Sequence, residues 1–279
     1  MGSHFQRREA MNNRLRYELR GLAYWANCAN PFRNTVRASN LPLGLKIDGY
    51  KRDAVGRGLY RRGYHELGLT TLLVERFSGT RGHHFLDLGA NIGYFSCLLG
   101  KLAGPTGKII SVEAEPRNFE LLERNLRNNS IFNAKAFCCA LGAEDGVAKM
   151  GIYKAANRGR HSLVDLASCK EFIEVPLKRL DDLLGADAST NWSLIKMDVE
   201  GYEPYVLQGG PRTFARAEML AMEYAPSYWR SAGIEPKAVF ERLAQNFNRI
   251  YRFENDQLVQ TTSAECEQSP ITLDLIFEK

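Results

Sequence analysis

Three carboxylates stand at the ends of apolar runs and could do chemistry there. Asp198 and Glu200 follow Leu194-Ile195-Lys196-Met197, and Glu223 follows Met222 in Met222-Glu223-Tyr224. Carboxylates at the C-terminal ends of strands lie where open α/β sheets bind ligands. In that place they can take a proton from an acceptor, or hold Mg²⁺, which prefers oxygen ligands. Adjacent strands lie about 4.8 Å apart, so Asp198 and Glu223 are the pair that can converge. Glu200 joins them or braces the turn at Gly201. Lys196 shares a strand face with Asp198. It forms an ion pair with a carboxylate, or serves as a base if burial depresses its pKa. His161, in Arg158-Gly159-Arg160-His161-Ser162, is the one histidine in the second half of the chain. It is either a base reaching from a substrate loop or a surface histidine.

A ligand site is written further upstream, in Phe85-Leu86-Asp87-Leu88-Gly89-Ala90-Asn91-Ile92-Gly93. A short apolar run breaks at a glycine-bearing turn, and a helical pattern follows. Strand, turn and helix in that order bring a ligand against backbone amides and a helix N-terminus. The spacing is D-x-G-x-N-x-G rather than G-x-G-x-x-G, which weakens a nicotinamide reading. Lys108-Ile109-Ile110-Ser111-Val112 is a second strand and ends in Glu113-Ala114-Glu115-Pro116. An acid about 20 residues beyond such a loop can accept hydrogen bonds from ribose hydroxyls. Glu115 is the candidate for that role, and Glu113 is its competitor on the same strand face. Pro116 suits the first turn of the helix that follows.

With Ile195 to Gly209, these stretches form an ordered triple that resembles the FkbM family of S-adenosylmethionine (SAM) methyltransferases. The family's runs look like D-V-G-A-N-I-G-Y-F-S, then F-E-P, then I-K-I-D-V-E-G-x-E-x-x-V-L-x-G. Here they stand as Asp87 to Ser96, Ala114-Glu115-Pro116 and Ile195 to Gly209. Leu88, Ala114, Met197 and Pro204 are departures. The resemblance implies a Rossmann-like class I methyltransferase fold. Its sheet has seven mostly parallel strands and an antiparallel last strand. It implies that Asp87, Gly89, Asn91 and Gly93 line the amino-acid and ribose side of SAM, with Glu115 on the ribose. Ala140, in Ala140-Leu141-Gly142, falls near the adenine. Glu66, in Gly63-Tyr64-His65-Glu66, sits where the family has a Gly-x-Tyr-Glu-like stretch. It either meets the cofactor's amino group or caps a helix. The implied reaction is O-methylation of a hydroxyl on a sugar or other secondary metabolite, a small-molecule or glycan acceptor. Mg²⁺ is an open question. The alternatives are an N-methyltransferase, an RNA methyltransferase and a non-catalytic SAM-binding module. The N-P-P-Y-type signature of base amino methylation is absent after the fourth strand, which argues against nucleic acid.

The elements that must position these residues follow from periodicity. Strands are expected at 85–89, 108–113, 135–141, 193–198, 219–224, 249–254 and 271–277, with two further strands at 147–153 and 171–177. Helices are expected at 67–77, 92–103, 117–129, 179–184, 211–217 and 236–247. Alternation of this kind argues a parallel sheet covered on both faces. Residues 255–270 are polar without a helical pattern. A parallel pair needs a crossover, so the last strand is expected to be antiparallel.

Composition sets the outer bounds. The chain has 279 residues, 44% hydrophobic and 25% charged, which is ordinary for a globular protein. No apolar run reaches the roughly 18 residues of a membrane span. The six cysteines show no zinc spacing and suit a reducing cytoplasm. The net charge of +5 is uneven: residues 1–84 hold 15 Arg and Lys against 6 Asp and Glu. Residues 1–60 are expected to form a basic, largely helical extension, and residues 61–279 the catalytic domain. Within the extension, Leu15, Leu19, Leu22 and Trp25 form an apolar stripe suited to docking as a lid or against a second subunit in a homo-oligomer.

Overall fold

The stretch before the large sheet is a helix, a ribbon and two more helices. These are α1 (17–29), β1 (Thr35–Ala38), β2 (Ile47–Tyr50), α2 (Ala54–Arg62) and α3 (Leu67–Phe77). Asp53 starts α2 by accepting hydrogen bonds from the amides of Val55 and Gly56, and Gly63 ends it in the left-handed region. Strands and helices then alternate: β3 (His84–Leu88), α4 (Tyr94–Ala103), β4 (Lys108–Glu113), α5 (Pro116–Asn128) and β5 (Ala134–Cys138). A side sheet follows, made of β6 (Ala140–Gly142), β7 (Gly146–Ile152) and β8 (Glu171–Arg179). Next come α6 (Leu180–Leu184), β9 (Leu194–Met197), α7 (Glu203–Gly209), α8 (Pro211–Ala215) and β10 (Met219–Tyr224). The chain closes with α9 (Pro226–Ser231), α10 (Pro236–Leu243), β11 (Arg249–Glu254), β12 (Gln257–Thr261), α11 (Ser263–Glu267) and β13 (Leu273–Glu278). This computed structural model describes residues 17–30, 34–51, 53–152, 163, 169 and 171–279.

The large sheet has eight strands in the order β12-β11-β13-β10-β9-β3-β4-β5. The pairs β5-β4, β4-β3, β3-β9 and β9-β10 are parallel. β13 runs antiparallel to both of its neighbours, as expected for the last strand. Its central strands are buried on both faces, so they read as continuous apolar runs rather than alternating ones. Phe85, Leu98, Ile109 and Leu194 belong to one packed face, and Leu86, Ile110, Ile195 and Leu220 to the other.

Four local expectations need correction. The sheet carries an eighth strand, β12, inside the polar stretch 255–270, for which no strand was expected. Asn255 and Asp256 both take positive φ and turn β11 back as a hairpin. The run expected as one strand over 135–141 divides at Cys139. β5 stays in the large sheet, while β6 pairs with β8 in the side sheet. The Leu19, Leu22 and Trp25 stripe of α1 faces solvent, and Leu15 lies outside the described residues. The helix docks instead through buried Tyr24, edge-on to Tyr60, and through Gly21 against the Arg61 guanidinium.

The boundary at residue 60 also does not match the packing. Leu41, Leu45 and Ile47 are buried in the same cluster as Leu98 and Leu122. The Asn125 side chain on α5 accepts from the Asp48 amide and donates to the carbonyls of Asp48 and Ile92. Asn129 likewise exchanges hydrogen bonds with the backbone of Lys46. The ribbon is stitched to α5 rather than appended to it.

Candidate active site

The ends of β3, β4 and β9 surround a cleft of about 620 Å³. Its floor is the turn after β3. Gly89 has φ +81°, and a Cβ there would lie 1.7 Å from the Asp198 carbonyl oxygen, so no other residue fits. The close approach locks the β3 turn to the loop after β9. Gly93 has φ +87° and rests against Leu122, which seats the start of α4 on α5. Asn91 also takes positive φ, and its side chain accepts from the Ile92 amide.

Glu113 ends β4 and lines the cleft. Its carboxylate accepts from the Asn91 amide at 2.7 Å and the Glu115 amide at 2.8 Å. Burial, ahead of the charges of Glu115 and Asp87, pushes its pKa up to about 7, although the two amide bonds pull the other way. Glu115 does something else. It is the N-cap of α5 and accepts from the Asn118 amide, and it does not line the cleft. The expectation that Glu115 meets the ribose is therefore corrected by its position. Pro116 at the first helical position makes Glu115 the cap.

Asp87 is completely buried beneath the turn, where Ser96 donates to one oxygen at 2.5 Å and the other has no partner. Burial raises its pKa. It supports the glycine turn rather than lining the cleft. Val112, Leu141 and Met150 supply apolar walls, and Ala140, Asp198 and Glu200 are among the other residues of the lining. This is a donor set that fits a nucleoside: a carboxylate for vicinal hydroxyls, apolar slabs for a base, and a glycine turn open to the main chain.

A second cleft of about 320 Å³ lies on the other side of Asp198, which lines both. Glu66, Lys196, Glu223, Phe253 and Asp274 line it as well. Lys196 donates to Asp198 at 3.1 Å. Burial alone would lower its pKa, but Asp198, Asp87 and Glu66 outweigh burial and raise it. The reading of Lys196 as a base is corrected: it is a fixed cation that neutralises carboxylates. Glu66 stands at the N-cap position of α3 with φ 45°, yet its side chain does not cap the helix. It pairs with His65 at 3.1 Å. Burial opposes its ionisation, but His65 and Lys196 win and lower its pKa. It borders the second cleft rather than the first.

Glu223 lies one residue past the Met222–Met197 pairing and so comes beside Asp198. Burial first, then Asp198 and Glu200, holds its carboxyl well above the usual range. It is a protonated acid near neutral pH, suited to donating a hydrogen bond and not to serving as a base. Among the described residues, no group of three or more His, Cys, Asp or Glu side chains is arranged to hold a metal ion. His161 lies outside the described residues. Two residues escaped the sequence reading. Asp274 opposes Glu223 across β13 and β10, a juxtaposition that only the strand register reveals. Glu203 is completely buried and accepts from the amides of Val199 and Gly201 and from the Trp229 indole. Its place in the D-V-E-G-x-E run was the available signal.

The chain is 29% identical over 143 residues to Methyltransferase 1 of Beauveria bassiana, covering 44% of this chain and 57% of that protein. It is 28% identical over 181 residues to Methyltransferase sdnD of Sordaria araneosa, covering 54% and 68%. The chain thus spans little more than half the length of the first of these relatives. Among solved structures, the methyltransferase FkbM of Methylobacillus flagellatus shows 17% identity and a TM-score of 0.48, covering 79% of this chain and 52% of that one. The fold is the Rossmann-like class I methyltransferase fold, with one added edge strand. The methyltransferase FkbM domain matches residues 87–273, which hold most of the sheet, the whole first cleft and part of the second, and the chain belongs to that family.

Proposed function

We propose that this protein transfers a methyl group from SAM to a hydroxyl of a small-molecule or glycan acceptor. One observation carries the reading: Asp198 lines both clefts, so one carboxylate borders a nucleoside-shaped site and an adjoining space for an acceptor. Glu113 would hold the ribose hydroxyls, Ala140 and Leu141 would border the base, and the Gly89 turn would admit the amino-acid end. When bound, SAM supplies a methyl group whose carbon–sulfur bond breaks with its electron pair left on sulfur, as the acceptor oxygen bonds to carbon. Asp198 takes the proton that the hydroxyl loses and later passes it to solvent. Lys196, donating to Asp198, fixes that carboxylate in place. Glu223, as a protonated acid, can donate to an acceptor oxygen and orient it.

A non-catalytic binding module would not need Asp198 and Glu223 to face a second cleft, and both do. The reading is tested with labelled SAM and an extract that contains the acceptor. Asp198→Asn should still bind S-adenosylhomocysteine and should lose about 10²–10⁴-fold in transfer, the range of a general base. Turnover within twofold of wild type would sink the role of Asp198. Failure of the wild type to bind S-adenosylhomocysteine would sink the whole reading.

A further inference from the structure

The helix α1 is amphipathic the wrong way round. At about 3.6 residues per turn, Leu19, Leu22, Ala23, Trp25, Ala26 and Ala29 share one arc, interrupted by Glu18 alone. All six are exposed, Leu19 at 56%, Leu22 at 70% and Trp25 at 51%. The opposite arc carries Gly21 and Tyr24, which are buried against Arg61 and Tyr60 of α2. One exposed leucine on a protein surface needs no explanation. A surface helix that turns its leucines and a tryptophan to the outside reverses the usual arrangement, and its apolar arc is free to meet something else.

The charge beside this arc is positive. Residues 1–16, which lead into α1, hold Arg7, Arg8, Arg14 and Arg16 against Glu9 alone. Arg61 of α2 packs on the helix with its guanidinium 4.0 Å over the Tyr17 ring. A second copy of the chain is a poor occupant. Residues 17–29 at about 1.5 Å each, with a face about 10 Å wide, offer about 200 Å², against about 800 Å² per partner in a stable interface. A symmetric pair would also bring like charges together. A bilayer surface needs no such area, because a helix binds there by apolar burial together with attraction to anionic headgroups. Tryptophan suits the boundary between headgroups and acyl chains. Among the described residues no helix is long and apolar enough to cross a membrane, so α1 would lie in the headgroup plane.

We infer that α1 docks this protein on an anionic membrane surface. Leu19, Leu22 and Trp25 enter the interface, and the arginines before the helix add attraction to the headgroups. The inference is independent of the methyl-transfer reading and goes beyond it.

The test uses the full chain with phosphatidylcholine vesicles, alone or carrying about a third phosphatidylglycerol. The chain has three tryptophans, and Trp192 and Trp229 are completely buried, so a change in emission reports Trp25. The protein should sediment with the anionic vesicles and bind them at least about tenfold more tightly than the neutral ones, since each basic residue near the surface adds about fivefold. Raising the salt should weaken binding. Emission should shift to the blue and become resistant to acrylamide, and Trp25→Phe should remove that signal. Leu19→Ser combined with Leu22→Ser should weaken vesicle binding about tenfold or more. Both side chains are exposed, so the double variant should keep the wild-type melting temperature and S-adenosylhomocysteine affinity. Absence of binding to anionic vesicles, equal binding to neutral ones, or full binding by the double variant overturns the inference. So does a Trp25 already shielded from acrylamide before lipid is added, or a dimer in light scattering that Leu22→Glu dissolves. Either result would mean that the chain itself covers the arc.

Discussion

Replacing Glu113 and Glu115 in turn separates two acids that stand two residues apart and do different work. Glu113 lines the first cleft, and its oxygens accept from the Asn91 and Glu115 amides, which fixes its rotamer and aims its remaining lone pairs at the cavity. Hydrogen bonds to a charged group contribute about 1.5–3 kcal/mol, so Glu113→Gln should weaken S-adenosylhomocysteine by about 10–150-fold. Glu115 gives its carboxylate to the Asn118 amide at the start of α5. Glu115→Ala should leave that affinity within about twofold and cost about 0.5–2 kcal/mol of stability, the usual price of an N-cap. The pH dependence is a second signature. Burial raises the Glu113 pKa to about 7, so its carboxylate forms fully only above neutrality. Hydroxyl donors favour the ionised form, and binding draws the pKa back down. Affinity should therefore rise from pH 6 to pH 8, by up to about tenfold per unit below the pKa, and then level off. Glu113→Gln should flatten this profile. In the free protein the sign is reversed. A carboxyl with a raised pKa contributes stability below its ordinary pKa and loses it as pH climbs through about 7. Calorimetry across pH 6–8 and thermal melts of the three proteins provide the readings. Loss of affinity in Glu115→Ala with wild-type affinity in Glu113→Gln would refute the assignment.

Two further substitutions test the frame around the clefts. Gly89→Ala places a Cβ 1.7 Å from the Asp198 carbonyl oxygen at a φ of +81°. The turn and the loop after β9 must part, so S-adenosylhomocysteine binding should be abolished by calorimetry. Retained binding would mean that the turn has slack which its geometry does not show. Asn125→Ala leaves the Asp48 amide and the carbonyls of Asp48 and Ile92 without their partners. Each such loss costs about 1–3 kcal/mol, so a denaturant melt should show a drop of several kcal/mol. A change below about 1 kcal/mol would mean that the ribbon is not held through α5.

The sequence carried most of the sheet because its strands are buried on both faces and its helices keep one period. β4, β10 and β11 fall at the expected residues, 108–113, 219–224 and 249–254. The glycine turn was legible because positive φ and close approach both exclude a side chain. Which of the two acids lines the cleft was not legible because 113 and 115 share a strand face, and only the point where the strand stops separates them. The N-cap position before Pro116 held that information. Docking of α1 was misjudged because amphipathicity shows a stripe and not what the stripe meets. The surface offered by α2 presents Arg61 and Tyr60, so a glycine and a tyrosine pack there and the leucines do not. Asp274 was beyond reach. It enters the site through pairing with a strand some 50 residues earlier, and composition carries no trace of that register.

The six residues from Asp198 to Glu203 join these levels in one loop. β9 ends at Met197, and the next residue must leave the sheet with its carboxylate between two clefts. Its backbone is held from below by the Gly89 turn and from behind by Glu203, which takes the amides of Val199 and Gly201. Those amides would otherwise be lost donors at the bend where Glu200 takes a φ of 55°. Burial carries the Glu203 pKa up to about 7, against the pull of the Trp229 and amide hydrogen bonds, so keeping an acid there is costly. Gln at that position could still accept from both amides but would place its amide nitrogen against the Trp229 N–H. A carboxylate accepts on both oxygens, which a tryptophan donor and a turn require together. The requirement is geometric, and it explains why an acid that touches neither cleft is buried behind the one that touches both.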